Sequence, residues 1–505
     1  MHTRYSMGSG ALIAALLAST AAFAEVTPQQ VWNDWRDYMQ GFGYEVTATE
    51  TASGKDLNVT GVNFSMAMPD NQGNVSVTFG DMRFVDNGDG SVSIKMPETM
   101  PIDITITSPD SPQTEIGLSY LIPGMKMVAK GMPGDMQYTF EAGEMSVVLD
   151  KLIADGKPVD SAQVEFGLAD VTGTYNIKTG NLKVIQETVN AGGMRYKIAI
   201  SDPETGGSMN MKGMSDRLSA LANIALPLEY DPNDINMALK NGMAMDISLT
   251  QGPGGSKFSF KDGESSASGS SETSGSSMHM SLDATKVGYG FSLSDWRMSL
   301  MGSDIPLPIN FSTAKTGIEF SMPITKSDIP QDFGTSIELV DFAPDDMIWS
   351  MLDPTGGLPH DPATIILNLA GKANWLVDIL DPANAEALSG DKPPFELQAL
   401  SINDLKVAAA GAELTGAGSF VFNNADLDTF DGLPAPDGSV DLKLVGGNGL
   451  IDRLISMGLM SEDDAMGMRM MLGLFGRPGE GEDEVLSTIE VRQNGEIYAN
   501  GQRLQ

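Results

Sequence analysis

The chain has 505 residues, with 67 Asp and Glu against 31 Lys and Arg, three His and no Cys, for a formal charge of −36 at pH 7. That length exceeds what one ordinary hydrophobic core serves, and the acidity repels nucleic acid and anionic headgroups. Without cysteine and nearly without histidine, the chain has no disulfide framework and no ordinary zinc ligand set.

Residues 1–24 read as a secretory signal peptide. Arg4 supplies the positive start, residues 11–18 a short apolar run, and Ala22-Phe23-Ala24 a small-residue cleavage site before Glu25. The run is shorter than the ~20 apolar residues a membrane span needs, and no later segment is long and apolar enough. The expected mature chain is exported, periplasmic, and without a transmembrane segment.

A helix follows. Thr27 caps it, Pro28 fits its first turn and Gly41 its end, and Trp32, Trp35, Met39 and Phe42 fall on one face. This spacing predicts a helix that plugs one end of a sheet.

Residues 57–107 alternate strictly. Leu57 and Val59, then Val62, Phe64, Met66 and Met68, then Val75, Val77 and Phe79, then Val92, Ile94, Ile102, Ile104 and Ile106 share one face of an antiparallel meander. Turns are read at 69–73 and at Asp86-Asn87-Gly88-Asp89-Gly90. The alternation slips phase at Gly61 and Gly80, where β-bulges are expected to restore register. Further strands are read through residues 116–200. Leu218, Leu221, Ala222 and Ala225 suggest a short helix over 216–225, and Asp231-Pro232-Asn233-Asp234 starts another.

Residues 262–277 are almost entirely Gly, Ser, Glu and Thr. They bury too little apolar area to offset ordering and are expected to form a flexible loop or hairpin tip. Alternation resumes beyond, with Tyr289, Phe291 and Leu293 and with Ile318, Phe320 and Met322. A Pro-started helix is read near Ala343-Pro344-Asp345, a helix pair over 449–475 with a capping box at Ser461, and a closing hairpin at Asn494-Gly495.

The expected architecture is mainly β: a long curved antiparallel meander sheet or sheets, elongated or bilobed, with a few short capping helices. It divides into an N-terminal β-rich lobe over 25–261 with its leading helix, the flexible tract 262–277, and a C-terminal β-rich lobe over 278–505.

Chemistry is sparse. Once His2 leaves with the signal peptide, only His279 and His360 remain, and no Gly-x-Ser-x-Gly elbow is present. The turn at Asp86 lacks the alternating ligands and closing Glu of an EF-hand loop. Met466, Met468, Met470 and Met471 suggest a thioether copper cluster, but on a helix Met466 and Met470 share one face and Met471 with Phe475 reads as core. No catalytic, cofactor-binding or metal-binding residue is assigned.

The segments Val340-Asp341-Phe342, Leu352-Asp353-Pro354, Leu358-Pro359-His360-Asp361-Pro362-Ala363 and Leu369-Ala370-Gly371 resemble a secreted proteobacterial family, the domain-of-unknown-function family 2125. Leu226-Pro227, Ile305-Pro306-Leu307-Pro308 and residues 328–333 fit the same likeness, which is firmest from about residue 220 onward. The C-terminal order, a glycine-flanked strand near Gly418, then 442–445, a helix pair and Asn494-Gly495, is similar to AsmA-like envelope proteins. That second resemblance implies long curved sheets with an apolar inner face and a role in lipid handling.

The leading functional expectation is a non-catalytic exported protein that binds a lipid, another apolar or amphipathic ligand, or an envelope partner, on the apolar face of its sheet. Phe64, Met66, Met68, Phe291 and Leu293 are the candidate groove residues. The alternatives are a hydrolase with a carboxylate-based site and a purely structural envelope component.

Overall fold

The computed structural model describes residues 25–41, 43–68, 72–109, 111–202, 205–231, 234–390 and 393–504. The expected signal peptide, Phe42 and residues 69–71 of the first turn lie outside the described residues. Strand makes up 63% of the structure and helix 12%, so the fold is mainly β.

The chain opens with α1 (Pro28–Gly41) and then runs β1 (Glu45–Ser53), β2 (Asp56–Ala67), β3 (Asn74–Phe79), β4 (Met82–Asp86), β5 (Val92–Lys95), β6 (Thr99–Ser108), β7 (Ser111–Leu121), β8 (Lys126–Met132) and β9 (Asp135–Ala154). Next come β10 (Lys157–Pro158), β11 (Gln163–Thr179), β12 (Leu182–Ser201), β13 (Ser208–Pro227), α2 (Ile235–Lys240), β14 (Ala244–Gln251), β15 (Gly254–Asp262), β16 (Ser265–Thr273), β17 (Gly275–Leu282) and β18 (Lys286–Gly302). The second half continues with β19 (Ile305–Pro323), β20 (Gln331–Pro344), α3 (Asp346–Leu352), β21 (Ala363–Trp375), α4 (Ala385–Leu388), β22 (Phe395–Ala409), β23 (Ala412–Asn423) and β24 (Ala435–Val445). It ends with α5 (Gly447–Ser456), α6 (Glu462–Phe475), β25 (Arg477–Pro478), β26 (Glu484–Val491), β27 (Ile497–Ala499) and β28 (Gln502–Arg503).

All these strands join one 28-stranded antiparallel sheet. It forks and rejoins twice. β3 and β4 both pair with β2. The branches β3–β6–β7 and β4–β5–β8 then meet again on β9. Further along, β13 carries both β14 and β15, and the branches β14–β17 and β15–β16 meet on β18. Gly80 therefore marks the gap between β3 and β4, not the expected bulge. Gly61 is a bulge: Thr47 faces Asn63 and Thr49 faces Thr60, and the extra residue sits beside Gly61 at φ 60°.

More phase slips fall at non-glycine residues. Asp170, Arg217 and Asp295 have φ of 51°, 50° and 45° in the middle of β11, β13 and β18, and Asp341 has φ 53° near the end of β20. Asp tolerates this left-handed region better than most residues. At Arg217 and Asp295 the slip puts two consecutive residues outward: Asp216 and Arg217 are exposed while Ser215 is buried, and Ser294 and Asp295 are both exposed. The Thr313 and Thr316 hydroxyls lie 3.0 Å apart, so residues three apart in β19 share a face there. The slips thus keep apolar side chains on one side of the sheet along the whole length of these strands.

The helix expected over 216–225 is absent; those residues lie within β13. The spacing of Leu218, Leu221, Ala222 and Ala225 fits a helix, but Leu218, Ala220, Ala222 and Ile224 also alternate, and pairing with β12 and β14 on both edges decides the outcome. The flexible tract expected over 262–277 is also corrected, since β16 and β17 run through it. β16 is paired on both edges, by β15 and β18, so its backbone groups are satisfied without large side chains. Phe258 lies opposite Gly269 and covers it: a Cβ there would meet the Phe258 Cζ at 2.6 Å. Phe140 over Gly173, Tyr196 over Gly213 and Phe333 over Gly371 repeat the device. A ring laid flat across the neighbouring glycine buries itself without a second layer.

The main core sits at one end. Val31 and Trp32 of α1 pack with Leu57, Val59, Val62, Phe84, Ile94 and Tyr138. The Gln30 N–H donates to Thr27 Oγ1 at 3.3 Å, giving the expected cap, and the Trp32 Nε1–H donates to Glu50 Oε1 of β1 at 2.7 Å. A second cluster gathers Ile185, Leu226, Leu239 of α2 and Ile324.

Candidate functional site

Residues directly opposite on neighbouring strands share a face, so register traces the apolar side across the molecule. One row begins with Leu57, Phe84, Ile94, Met127 and Phe140 on β2, β4, β5, β8 and β9. It passes through Gly173, Val189, Ala220, Leu249 and Met278 to Phe291. It continues as Ile318, Ile337, Leu367 and Leu405 and reaches Leu442 through Gly416.

Cover along this row is uneven. At its start Phe84 is 0% exposed beneath Trp32 and Trp35, with ring centroids 6.1 and 5.6 Å away. In its middle Phe291, Ile318 and Ile337 are 36%, 44% and 43% exposed. On the adjoining row Ile365 of β21 faces Val407 of β22, and both are exposed. Toward the far end α5 and α6 come in over Leu444, and a hollow of about 630 Å³ lies among Leu444, Leu450, Leu454, Met468 and Met471. Helices cover the two ends of the apolar face, α2 packs near Val287 of β18 and α3 meets β19, and between them the stretch from Phe291 to Val407 is open.

The five residues read from the sequence fall into two groups. Phe64 is half-buried, its ring centroid 5.0 Å from Phe79 and 6.3 Å from Tyr44, and it packs against the α1 core. Met66 lies one step further along the same face, opposite Val75. Met68 sits just past β2, where its N–H donates to the Gly73 carbonyl at 2.8 Å. Phe291 and Leu293 lie together on β18, Leu293 facing Ser276 and Thr316. β9 to β17 stand between the groups in the sheet, so no single groove is made of both. Ile318, Ile337, Ile365 and Val407 were not singled out, because alternation marks a face and does not tell whether anything covers it.

A cavity of about 460 Å³ lies beside α1, lined among others by Asp34, Asp37, Tyr38, Lys183 and Tyr230. The Tyr138 hydroxyl donates to Asp34 Oδ2 at 2.7 Å. Burial pushes the Asp34 carboxyl up, and that hydrogen bond only partly offsets it. Burial also raises Tyr38, and strongly raises Tyr138 and Tyr175. The Lys183 ammonium stands 5.7 Å from the Tyr38 ring centroid. A raised carboxyl in a cavity is what acid–base chemistry uses, but here its acceptor oxygen is held by a fully buried tyrosine, which ties α1 to β9.

The Asp86 turn holds itself together: Asp86 Oδ1 accepts the Gly88 N–H at 2.7 Å and Asp89 Oδ1 accepts the Ser91 N–H at 3.0 Å. Met466 and Met470 of α6 are exposed, and so is Met471, which the spacing placed in the core. Among the described residues, no helix is long and apolar enough to cross a membrane.

A family model described as an uncharacterized protein conserved in bacteria (DUF2125) matches residues 197–504. No curated protein and no solved structure matches the chain.

Proposed function

We propose that this chain, which belongs to the DUF2125 family of uncharacterized proteins conserved in bacteria, binds an amphipathic lipid along the open middle of its apolar face. The observation that carries this reading is the gap in cover between α1 and the α5–α6 pair. Phe291, Ile318 and Ile337 stand directly side by side there with about two fifths of their surface in water. Exposed apolar area of this continuity is costly in a soluble protein and marks a binding surface.

The dimensions suit an acyl chain. At ~4.8 Å per strand, the stretch from Met278 on β17 to Leu405 on β22 spans roughly 24 Å, more than one leaflet of a ~30 Å hydrocarbon layer. The half-exposed side chains are aliphatic and aromatic, and β19 and β20 carry Thr316 and Thr335 among them. A periplasmic setting, with residues 1–24 as the export signal, is part of the proposal. The likeness of the C-terminal element order to AsmA-like envelope proteins points the same way.

The test is solvent extraction and mass spectrometry of the protein purified without detergent, beside titration with a fluorescent fatty-acid analogue. The expected result is co-purifying lipid in wild type, and probe binding at least tenfold weaker in Ile318→Asp and Ile337→Asp. No extracted lipid together with no probe binding would leave the purely structural reading in its place.

A further inference from the structure

The chain carries 67 carboxylates and 31 cations, so a cation on its surface ordinarily has an acidic neighbour. One place on the polar side of the sheet breaks this pattern. Lys197 on β12 lies directly opposite Lys212 on β13, and Lys212 directly opposite Lys257 on β15. Three lysines thus stand in a line at ~4.8 Å per strand. Like charges directly opposite destabilise a sheet; Glu165 of β11 lies opposite Lys197 on its other side but is bonded to Arg195, and no carboxylate pairs with Lys212 or Lys257 among the described residues. The Lys197 ammonium donates to the neutral Gln163 Oε1 at 3.1 Å, and the Lys212 and Lys257 side chains make no hydrogen bond or ion pair with any described residue. Arg297 on β18 is opposite Glu272 and is also unpaired among the described residues, whereas Arg195 on β12 is held by Glu144 and Glu165 at 2.5 and 3.4 Å.

The free cations share a hollow. Lys212, Lys257 and Arg297 line a trough of about 1140 Å³ whose lining includes Gly254 and Gly255, and an adjoining hollow of about 280 Å³ adds Lys197. Gly255 occupies the position between Met214 and Glu272 in its row, and its missing side chain helps to open the trough. Around the cations stand the hydroxyls of Ser270, Thr273 and Ser274 and the carboxylates of Asp216, Glu272 and Asp295. Those carboxylates repel a densely charged polymer but accept hydroxyl donors well. The ligand that suits this lining has separated negative groups on a hydroxyl-rich frame.

We propose that the trough binds an anionic oligosaccharide, with its acidic groups on Lys212, Lys257 and Arg297 and its hydroxyls on the serine hydroxyls and carboxylates around them. The site lies on the opposite side of the sheet from the apolar face and does not depend on lipid binding there.

The test is calorimetric titration of the mature protein with a hexamer of galacturonic acid, with a sulfated heparin-derived hexasaccharide, and with uncharged maltohexaose. The expected result is binding of one or both anionic probes, weakened by added salt, and no binding of maltohexaose. In the double variant Lys212→Gln/Lys257→Gln the affinity should fall at least tenfold while Tm holds or rises, because the variant relieves repulsion. Binding of neither anionic probe, equal binding of maltohexaose, or undiminished affinity in the double variant would overturn the proposal.

Discussion

The His360 imidazole lies flat on the Trp349 indole, the ring centroids 4.3 Å apart and the planes 7° from parallel. Its Nε2 stands 3.5 Å from Asp353 Oδ2, and the Asp353 side chain is fully enclosed. Asp353 also accepts the N–H groups of Leu358 and Gly357 at 2.7 and 2.9 Å, so one carboxylate gathers the loop between α3 and β21. His360 is part of that loop's packing.

The Leu358 N–H first, then the Gly357 N–H, Thr355 and His360, hold the Asp353 carboxyl down at about 2, against the opposing effect of desolvation. A carboxyl depressed in the folded state contributes stability that is complete above its ordinary value near 3.8 and is lost as pH falls toward 2. Asp353→Asn should therefore lower Tm at pH 6, and its difference from wild type should shrink between pH 4 and pH 2. Thermal melts across that range check it; a constant difference would show that charge at Asp353 is not what secures the loop.

A second prediction concerns α1. Glu50 accepts from Gln29 Nε2 at 2.6 Å, from Trp32 Nε1 at 2.7 Å and from Arg36 at 3.1 Å. Glu50→Ala leaves the indole N–H of a buried tryptophan without its partner, at a cost of about 1–3 kcal/mol. Urea melts followed by tryptophan fluorescence should show an earlier transition, with α1 loosening first.

The alternating strands and the leading helix were legible in the sequence because period-two patterning and cap chemistry act locally. The slips at Asp170, Arg217, Asp295 and Asp341 were not, since only a neighbouring strand makes an isolated Asp or Arg in a β run into a bulge. The open middle of the apolar face was hidden for a related reason. Phe64 and Phe291 stand in similar alternating patterns, and what separates them is the presence of α1 over one and of no helix over the other.

The tract that composition marked as loop yields a third prediction. β16 links β15 to β18, and its Gly269 holds the Phe258 ring. Gly269→Val meets the Ser299 backbone carbonyl as well as that ring and should cost at least ~1–3 kcal/mol through overpacking. Replacing residues 265–273 with a short Gly-Ser turn should lower Tm by many degrees, because two long strands lose a partner. An unchanged Tm would mean that this branch of the fork adds nothing to the fold.

The last prediction separates covered from open parts of one apolar row. Phe84 and Ile318 stand in the same register line, yet Phe84 is 0% exposed and Ile318 is 44% exposed. Phe84→Ala removes a fully buried ring between Trp32 and Trp35 and should cost ~3–5 kcal/mol. Ile318→Ala removes side-chain surface that is largely in water already, and at ~25 cal/mol per Å² of lost burial its cost should be roughly 1 kcal/mol or less. A charge sharpens the contrast: Phe84→Asp buries an unpaired carboxylate and should unfold the N-terminal end, while Ile318→Asp keeps its carboxylate hydrated and should fold. Phe64→Ala, beside α1, should resemble Phe84→Ala in kind with a smaller cost, and Leu293→Asp should fall between the extremes. Urea midpoints for this set, read beside fatty-acid probe binding, give two independent orderings. Stability should fall most for Phe84 and least for Ile318, and binding should be lost at Ile318 in protein that remains folded. If Ile318→Asp unfolds the chain as Phe84→Asp does, the middle of the face is covered in solution and cannot serve as the lipid surface.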